Sequence, residues 1–264
     1  MNVSPLLSIV VPTYNEQQRL PTTLQAMLAF VAAQQIDAEI LVVDDGSTDA
    51  TVATVEPLQA VHPQLRIICN DHRGKGYAVR TGALAACGLN VLLCDADLAV
   101  PLEEWFKLQH HLENGYDVAI GSREGVGARR LDEPWYRHVM GRVFNFAVRL
   151  IAVGGIQDTQ CGFKAFHRTV AHDLFNRVQL YGADAKPVRG AAVTAFDVEV
   201  LFLARKRGYR IKEVPVEWHY GTETKVDPLR DSWRNLGDVL RVRWNALRGR
   251  YNTTLPIQDD QPTT

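Results

Sequence analysis

An excess of charge of either sign is missing. The 264 residues carry 29 Lys+Arg against 30 Asp+Glu, a formal net charge of -1, so no overall field draws the chain to nucleic acid. Paired cysteines are missing too. Cys69, Cys87, Cys94 and Cys161 form no CxxC. Cys69, Cys87 and Cys94 lie in or beside apolar segments, so they read as reduced, buried thiols of a cytosolic protein, not as disulfides or zinc ligands. No window reaches the roughly 18 uninterrupted apolar residues of a membrane span. The opening MNVSPLLSIVVP has no basic n-region and runs straight into a strand pattern, so it is not expected to be a secretory leader. Neither GxxxxGK[ST] nor GxGxxG occurs, which removes a P-loop and a dinucleotide fingerprint.

What is present is an ordinary globular composition, 46% hydrophobic and 22% charged, enough for a full core and one or two domains. Short apolar runs alternate with helical spacing. Strands are expected at 6–12, 38–44, 65–70, 89–95 and 117–122, and helices at 16–34, 48–58, 76–86 and 102–113. Continuous apolar strands with helices between them predict an α/β fold with a mostly parallel sheet covered on both faces. Ligands of such sheets bind beyond the carboxyl ends of the strands.

Those ends are polar. The first strand runs into Pro12-Thr13-Tyr14-Asn15-Glu16 and the second into Asp44-Asp45-Gly46-Ser47. The third leads to Arg73-Gly74-Lys75-Gly76, the fourth to Asp95-Ala96-Asp97 and the fifth to Gly121-Ser122-Arg123. Taken singly, Asp95 and Asp97 are either strand-end punctuation or half of a metal site. An ion of the magnesium type is held by one or two carboxylates plus substrate phosphates. Lys75, Arg123 and the backbone of the Arg73–Gly76 loop offer donors for such phosphates. Tyr14 offers a face for a base, and Asp45 an acceptor for a base N–H. The set points to a nucleoside diphosphate held with Mg²⁺ or Mn²⁺.

VVPTYNE, VVDDGSTD, GKGYAVRTG, the DAD triplet, GSR and DTQCGFKAF, in that order over residues 6 to 226, resemble the family-2 inverting glycosyltransferases of GT-A fold. The likeness is to the branch that acts on dolichyl or other polyprenyl phosphates. DTQCGFKAF with FDVEVLFLARKRGYRIKEVPVEW looks more like the glucosyl than the mannosyl enzymes. The resemblance implies a GT-A domain over 1–226; the pattern predicts an amphipathic helix over 227–251, and the polar, proline-containing stretch 252–264 is expected to be a disordered tail. It implies Pro12, Tyr14 and Glu16 at the nucleoside, Val43 and Asp45 at the base, and Asp95 and Ala96 near the ribose and diphosphate. Asp97 is implied as the main metal ligand, and Arg123 and Lys225 as cations for the diphosphate or an acceptor phosphate. The mannosyl branch often carries Gln two residues after the second aspartate; here that position is Ala99.

The implied reaction moves a hexose, glucose from UDP-glucose, onto a polyprenyl phosphate. Alternatives are a polyprenyl-phosphate mannosyltransferase using GDP-mannose, transfer to a saccharide hydroxyl, and a nucleotide-sugar-binding scaffold without activity. A sugar hydroxyl needs a base within hydrogen-bond reach. A phosphate monoester has a second pKa of about 6 and is already an anion at neutral pH. Asp158, Asp197 and Glu199 are the candidate bases. Asp158 reads equally as a cap of the GFKAF strand, and Asp197 and Glu199 as N-terminal helix charges. Cys161 reads as packing, with nothing nearby in sequence to activate it.

A lipid acceptor requires a membrane surface, reached at the cytoplasmic face without spanning it. Two segments suit this. Residues 138–153 place His138, Arg142, Asn145 and Arg149 in one narrow polar stripe on an otherwise apolar helix, which fits a buried core helix or an interfacial one. In 231–251, Trp233, Leu236, Leu240, Trp244 and Leu247 form a stripe flanked by arginines, which fits anionic headgroups or a terminal helix docked on its own domain. Residues 181–194, rich in Gly and Ala, read as a lid or a plain connector, with Lys186 and Arg189 as cations for an acceptor.

Overall fold

The computed structural model describes residues 4–131, 153–188, 195–220 and 228–252, the last with side chains from residue 234 onward. Almost all of the helix expected at 138–153, Arg189, Lys225, the Trp233 side chain and the tail beyond Asn252 lie outside the described residues.

Among those residues the chain alternates as its hydrophobic pattern requires. The elements are β1 (Leu7–Thr13), α1 (Leu20–Ala33), β2 (Ala38–Asp44), α2 (Thr51–Val61), β3 (Leu65–Cys69), α3 (Lys75–Ala85), β4 (Asn90–Leu93), α4 (Trp105–Glu113) and β5 (Val118–Ser122). After these come β6 (Arg129–Leu131), β7 (Lys164–His167), α5 (Arg168–Arg177), α6 (Phe196–Lys206), β8 (Ile211–Pro215), β9 (Glu217–His219) and α7 (Pro228–Leu247). The main sheet has the order β3-β2-β1-β4-β7-β5-β8. It is parallel except for β7, which runs antiparallel to both β4 and β5. A small parallel pair, β6 with β9, stands beside it.

Alternation along each strand sorts side chains to two faces. Val10, Leu41, Val43, Val91 and Leu93 pack with α3, α5, α6 and α7. Ile9, Val11, Ile40, Val42, Leu92 and Cys94 pack with α1 and α4. The helix α3 lies very close to the sheet. A Cβ at Gly82 would stand 2.4 Å from Val10 and 2.8 Å from Val43, so only a glycine permits this approach. That fixes where α3 begins, and therefore where Lys75 sits.

Some boundaries differ from the sequence pattern for a local reason. The first helix starts at Leu20, not at residue 16, because the preceding residues are spent on a loop contact. Asn15 takes a positive φ of 55°, and the Glu16 and Gln17 N–H groups donate to Thr51 Oγ1 at 2.8 Å and Asp49 Oδ2 at 3.3 Å. The cysteine expectation is corrected in part. Cys94 and Cys161 are buried, but Cys69, the last residue of the edge strand β3, and Cys87, in the loop after α3, are exposed; all four are free thiols. Among the described residues no helix is long and apolar enough to cross a membrane.

Candidate active site

The strand β4 ends at Leu93 on the α3 face. Alternation sends Cys94 to the other face and returns Asp95 to the side where α3 begins. There the Lys75 ammonium lies 2.7 Å from Asp95 Oδ1. Burial opposes the Lys75 charge, but Asp95 and Asp197 more than offset it, and the ammonium is held above the ordinary lysine range. Burial likewise opposes the Asp95 charge; Lys75, then Lys164 and Arg123, outweigh it and lower the carboxyl. Gly162 backs the carboxylate so closely that a Cβ there would stand 2.2 Å from Oδ2. Asp97 is the opposite case. Burial and then the Asp95 charge raise its carboxyl, although the Ala99 N–H donates to Oδ1 at 3.1 Å.

The end of β5 supplies Arg123, and the segment crossing toward β7 supplies its partner. Asp158 is fully buried and accepts from Arg123 Nε at 2.7 Å, Nη2 at 2.9 Å and the backbone N–H at 3.0 Å. Burial would raise this carboxyl, yet the Arg123 charge and hydrogen bonds hold it far below the usual range. Glu213 on β8 positions the segment, accepting the Gln157 and Asp158 N–H groups and the Ser122 hydroxyl. The Arg123 guanidinium also lies over the Trp218 ring, 5.3 Å from its centroid. Asp158 is therefore a poor base as it stands here: its carboxyl is held low and its oxygens face the Arg123 N–H groups.

The other two candidate bases are also engaged. Asp197 sits 2.5 Å from the buried ammonium of Lys164, which also donates to the Cys161 carbonyl; burial raises the Asp197 carboxyl despite Lys164 and Lys75. Glu199 lies away from the strand ends. It accepts the Gln179 N–H at 2.7 Å, the Leu180 N–H at 3.2 Å and the Tyr251 hydroxyl at 2.7 Å, and burial pushes it up to about 7. Burial also pushes the Cys161 thiol up to about 11, so it is packing.

At the ends of β1 and β2 the expected nucleoside residues cluster, but several have structural duties. Asp45 is buried; it accepts the Arg73 N–H at 2.9 Å and the Gly74 N–H at 2.8 Å, and meets His72 Nδ1 at 2.8 Å. It thus clamps the loop before α3. The Val43 side chain is core, and its carbonyl accepts from Thr13 Oγ1 at 3.3 Å. Glu16 lies 3.7 Å from Arg19, and Pro12 is half-buried in β1. The Tyr14 ring is stacked on His72, with centroids 4.0 Å apart and planes 5° apart. Ala96 is buried, and its carbonyl accepts the Thr23 hydroxyl at 2.6 Å.

Sequence reasoning missed Gly162, Lys164, His72 and Trp218. Of these, Gly162 and Lys164 had a signal in DTQCGFKAF and Trp218 in FDVEVLFLARKRGYRIKEVPVEW, while His72 had none. The strap after α5, expected as a lid or a plain connector, is fastened down at its start. The Tyr181 hydroxyl donates to Asp238 on α7 at 2.7 Å, and the Tyr181 ring fills the space beside Gly76, where a Cβ would meet it at 2.7 Å. Further along, the Ala183 carbonyl accepts from Arg73 at 3.1 Å and the Val188 N–H donates to the His72 carbonyl at 2.9 Å.

The donor set at Asp95 and Asp97 suits a hard divalent cation. Both would offer carboxylate oxygens, and the Asp97 charge is disfavoured by burial and by Asp95, which a cation would relieve. Among the described residues no group of three or more His, Cys, Asp or Glu could hold an ion. The remaining ligands would be diphosphate oxygens and water, as magnesium-type sites use.

The model of the family described as glycosyl transferase family 2 matches residues 8–175. The dolichyl-phosphate beta-glucosyltransferase of Drosophila melanogaster is 36% identical over 253 residues, covering 90% of this chain and 74% of that protein. The mannosyltransferase PcManGT from Pyrobaculum calidifontis, in complex with GDP-Man and Mn²⁺, matches with a TM-score of 0.58 and 21% identity over 94% of this chain and 65% of that one. Glucosyl-3-phosphoglycerate synthase from Mycobacterium tuberculosis, with Mn²⁺, UDP-glucose and phosphoglyceric acid, matches with a TM-score of 0.59 and 17% identity over 90% of this chain and 79% of that one. The two structures share the fold of this chain.

Proposed function

The chain belongs to glycosyl transferase family 2 and is a glycosyltransferase, and from that premise we propose that it transfers glucose with inversion from UDP-glucose to a polyprenyl phosphate of the dolichyl type. In this reading Mg²⁺ or Mn²⁺ sits at Asp95 and Asp97, residues 1–226 form the catalytic domain, and the reaction runs at the cytoplasmic face of a membrane to which the protein attaches peripherally. The relative named above supports the glucosyl and dolichyl assignments by its name.

One observation carries the choice of acceptor. Each carboxylate that sequence offers as a base is already engaged: Asp158 by Arg123, Asp197 by Lys164, Glu199 by backbone N–H groups and Tyr251. The strand ends bring together, beside carboxylates, Lys75 and Arg123, two cations that can hold phosphates. A phosphate acceptor asks for that. Its oxygen attacks the anomeric carbon, the bond from that carbon to UDP breaks, and no proton need be removed at neutral pH. Lys75 and Arg123 screen one diphosphate and one phosphate from each other, with Lys225 as a further cation of the proposal. Fixed positive groups aimed at charge that grows on the leaving group lower the barrier without reorganising. The divalent ion, when bound, supplies the same stabilisation as a Lewis acid.

A single assay tests this. The protein is incubated with Mg²⁺ or Mn²⁺, UDP- and GDP-sugars in turn, and a polyprenyl phosphate, and glycolipid is sought. Product from UDP-glucose alone is expected. Product from GDP-mannose reassigns the sugar, product only on a saccharide hydroxyl reassigns the acceptor, and nucleotide binding without turnover on any acceptor sinks the enzymatic reading.

A further inference from the structure

We propose that the outward face of α7 is a docking surface for an anionic lipid bilayer. The proposal rests on the lipid-acceptor reading for its purpose, while its geometry comes from α7 alone. A terminal helix docked on its own domain turns its apolar stripe inward. This one buries Val239 and Val242 and half-buries Leu236, but leaves the rest of its described apolar stripe outside. Its buried positions are Asn235, Asp238, Val239, Val242 and Asn245, so three of the five are polar. Facing out are Leu240, Trp244 and Leu247, which are 54%, 56% and 78% exposed. Their spacing of four and three residues places them on one line along the helix.

The rim of that line is basic. Arg234, Arg241, Arg243, Arg248 and Arg250 are exposed, and the only acid from residue 234 to 251, Asp238, is buried. The Arg248 guanidinium lies over the Trp244 ring, 4.6 Å from its centroid. A tryptophan between leucines, ringed by arginines, matches the boundary between acyl chains and anionic headgroups: the apolar line enters, and the long cationic side chains reach the phosphates. The charge pattern disfavours a second copy as occupant, because an isologous contact would set this rim of arginines against itself. The opposite face of the same helix holds Asp238, which binds Tyr181 beside Gly76 and Lys75. A bilayer on the outer face would thus sit one helix thickness from the strap that packs on the phosphate loop.

The test is flotation of the full chain with vesicles of phosphatidylcholine, with and without phosphatidylglycerol. The wild type is expected to float with the anionic vesicles only, and less at high salt. Leu240→Glu/Trp244→Glu should weaken partitioning roughly tenfold or more, and Arg243→Ala/Arg248→Ala should do likewise. These side chains point away from the core, so an unchanged thermal melt verifies the fold. Transfer to a short, water-soluble prenyl phosphate without vesicles separates the two readings. If both variants keep the wild-type rate there, the face serves docking. If the wild type floats but makes no product on any prenyl phosphate, the acceptor reading fails and the docking face stands. Wild-type protein that ignores anionic vesicles, or a Leu240→Glu/Trp244→Glu variant that floats equally well, overturns the proposal. So does a wild-type dimer that the same variant dissociates, with no vesicle binding; that assigns the face to a second copy.

Discussion

Arg123 meets Asp158 fork to fork, Nε to Oδ2 at 2.7 Å and Nη2 to Oδ1 at 2.9 Å, with the carboxylate fully buried. The pair aims a guanidinium; it does not store a base. Asp158→Asn should lower kcat/KM roughly 100-fold by loosening that aim. The acidic limb of the pH–rate profile should stay where it is, since no essential proton acceptor is lost. A base role predicts the reverse, a profile that loses its acidic limb altogether, and full profiles for both proteins decide the matter.

Gly162→Ala places a methyl group where Asp95 Oδ2 now stands. The carboxylate must leave Lys75 or the backbone must shift. Overpacking of this kind costs about 1–3 kcal/mol, so the protein should fold while UDP-sugar affinity, read by calorimetry, falls at least tenfold.

Asp97→Asn should abolish metal-dependent UDP-sugar binding without lowering the melting temperature at neutral pH in metal-free buffer. The sign follows from its raised carboxyl. A carboxyl that the fold holds above its ordinary value resists ionising, so its charge subtracts stability as pH rises through that window, and a neutral amide removes the subtraction. Surviving metal-dependent binding would return the DAD triplet to strand punctuation.

Glu199 gives a pH signature in stability. Folding moves its carboxyl from 4.5 to about 7. Between those values the native state holds a proton that the unfolded chain has lost, so stability falls as pH rises across the window and is level above it. Denaturant melts of wild type and Glu199→Gln should therefore diverge from about pH 4.5 to about pH 7, the variant gaining relative to wild type. A difference that is flat with pH would contradict this.

Tyr181→Phe keeps the ring beside Gly76 and removes its bond to Asp238. The loss should be about 1 kcal/mol of stability, with the donor KM rising more than kcat falls, measured by initial rates at varied UDP-sugar.

Much of this was legible in the sequence. Period-2 and helical patterns located the first five strands and four helices, because those elements bury apolar faces locally. The strand-end rule then found Lys75, Asp95, Asp97 and Arg123 without knowledge of any contact. Partnerships were not legible. Nothing in the spacing of Asp45 says that it clamps His72, Arg73 and Gly74, and nothing around Asp158 names Arg123, since both pairings are tertiary. Nor does an arginine-flanked stripe in 231–251 say which way the helix is turned; Asp238 finding Tyr181 decides that.

The reversed strand has a further consequence, for how the chain folds. Among the described residues, in the order β3-β2-β1-β4-β7-β5-β8, β7 is the one seam between two half-sheets. The two halves meet only when β7 pairs with β4 on one side and with β5 on the other, and a contact that needs both halves forms after each of them. Asp95 ends one half, Arg123 ends the other, and Gly162 and Lys164 ride on the seam. The active site therefore does not exist in either half: it should form in the last folding step, and recovery of UDP-sugar binding should lag behind recovery of secondary structure on refolding.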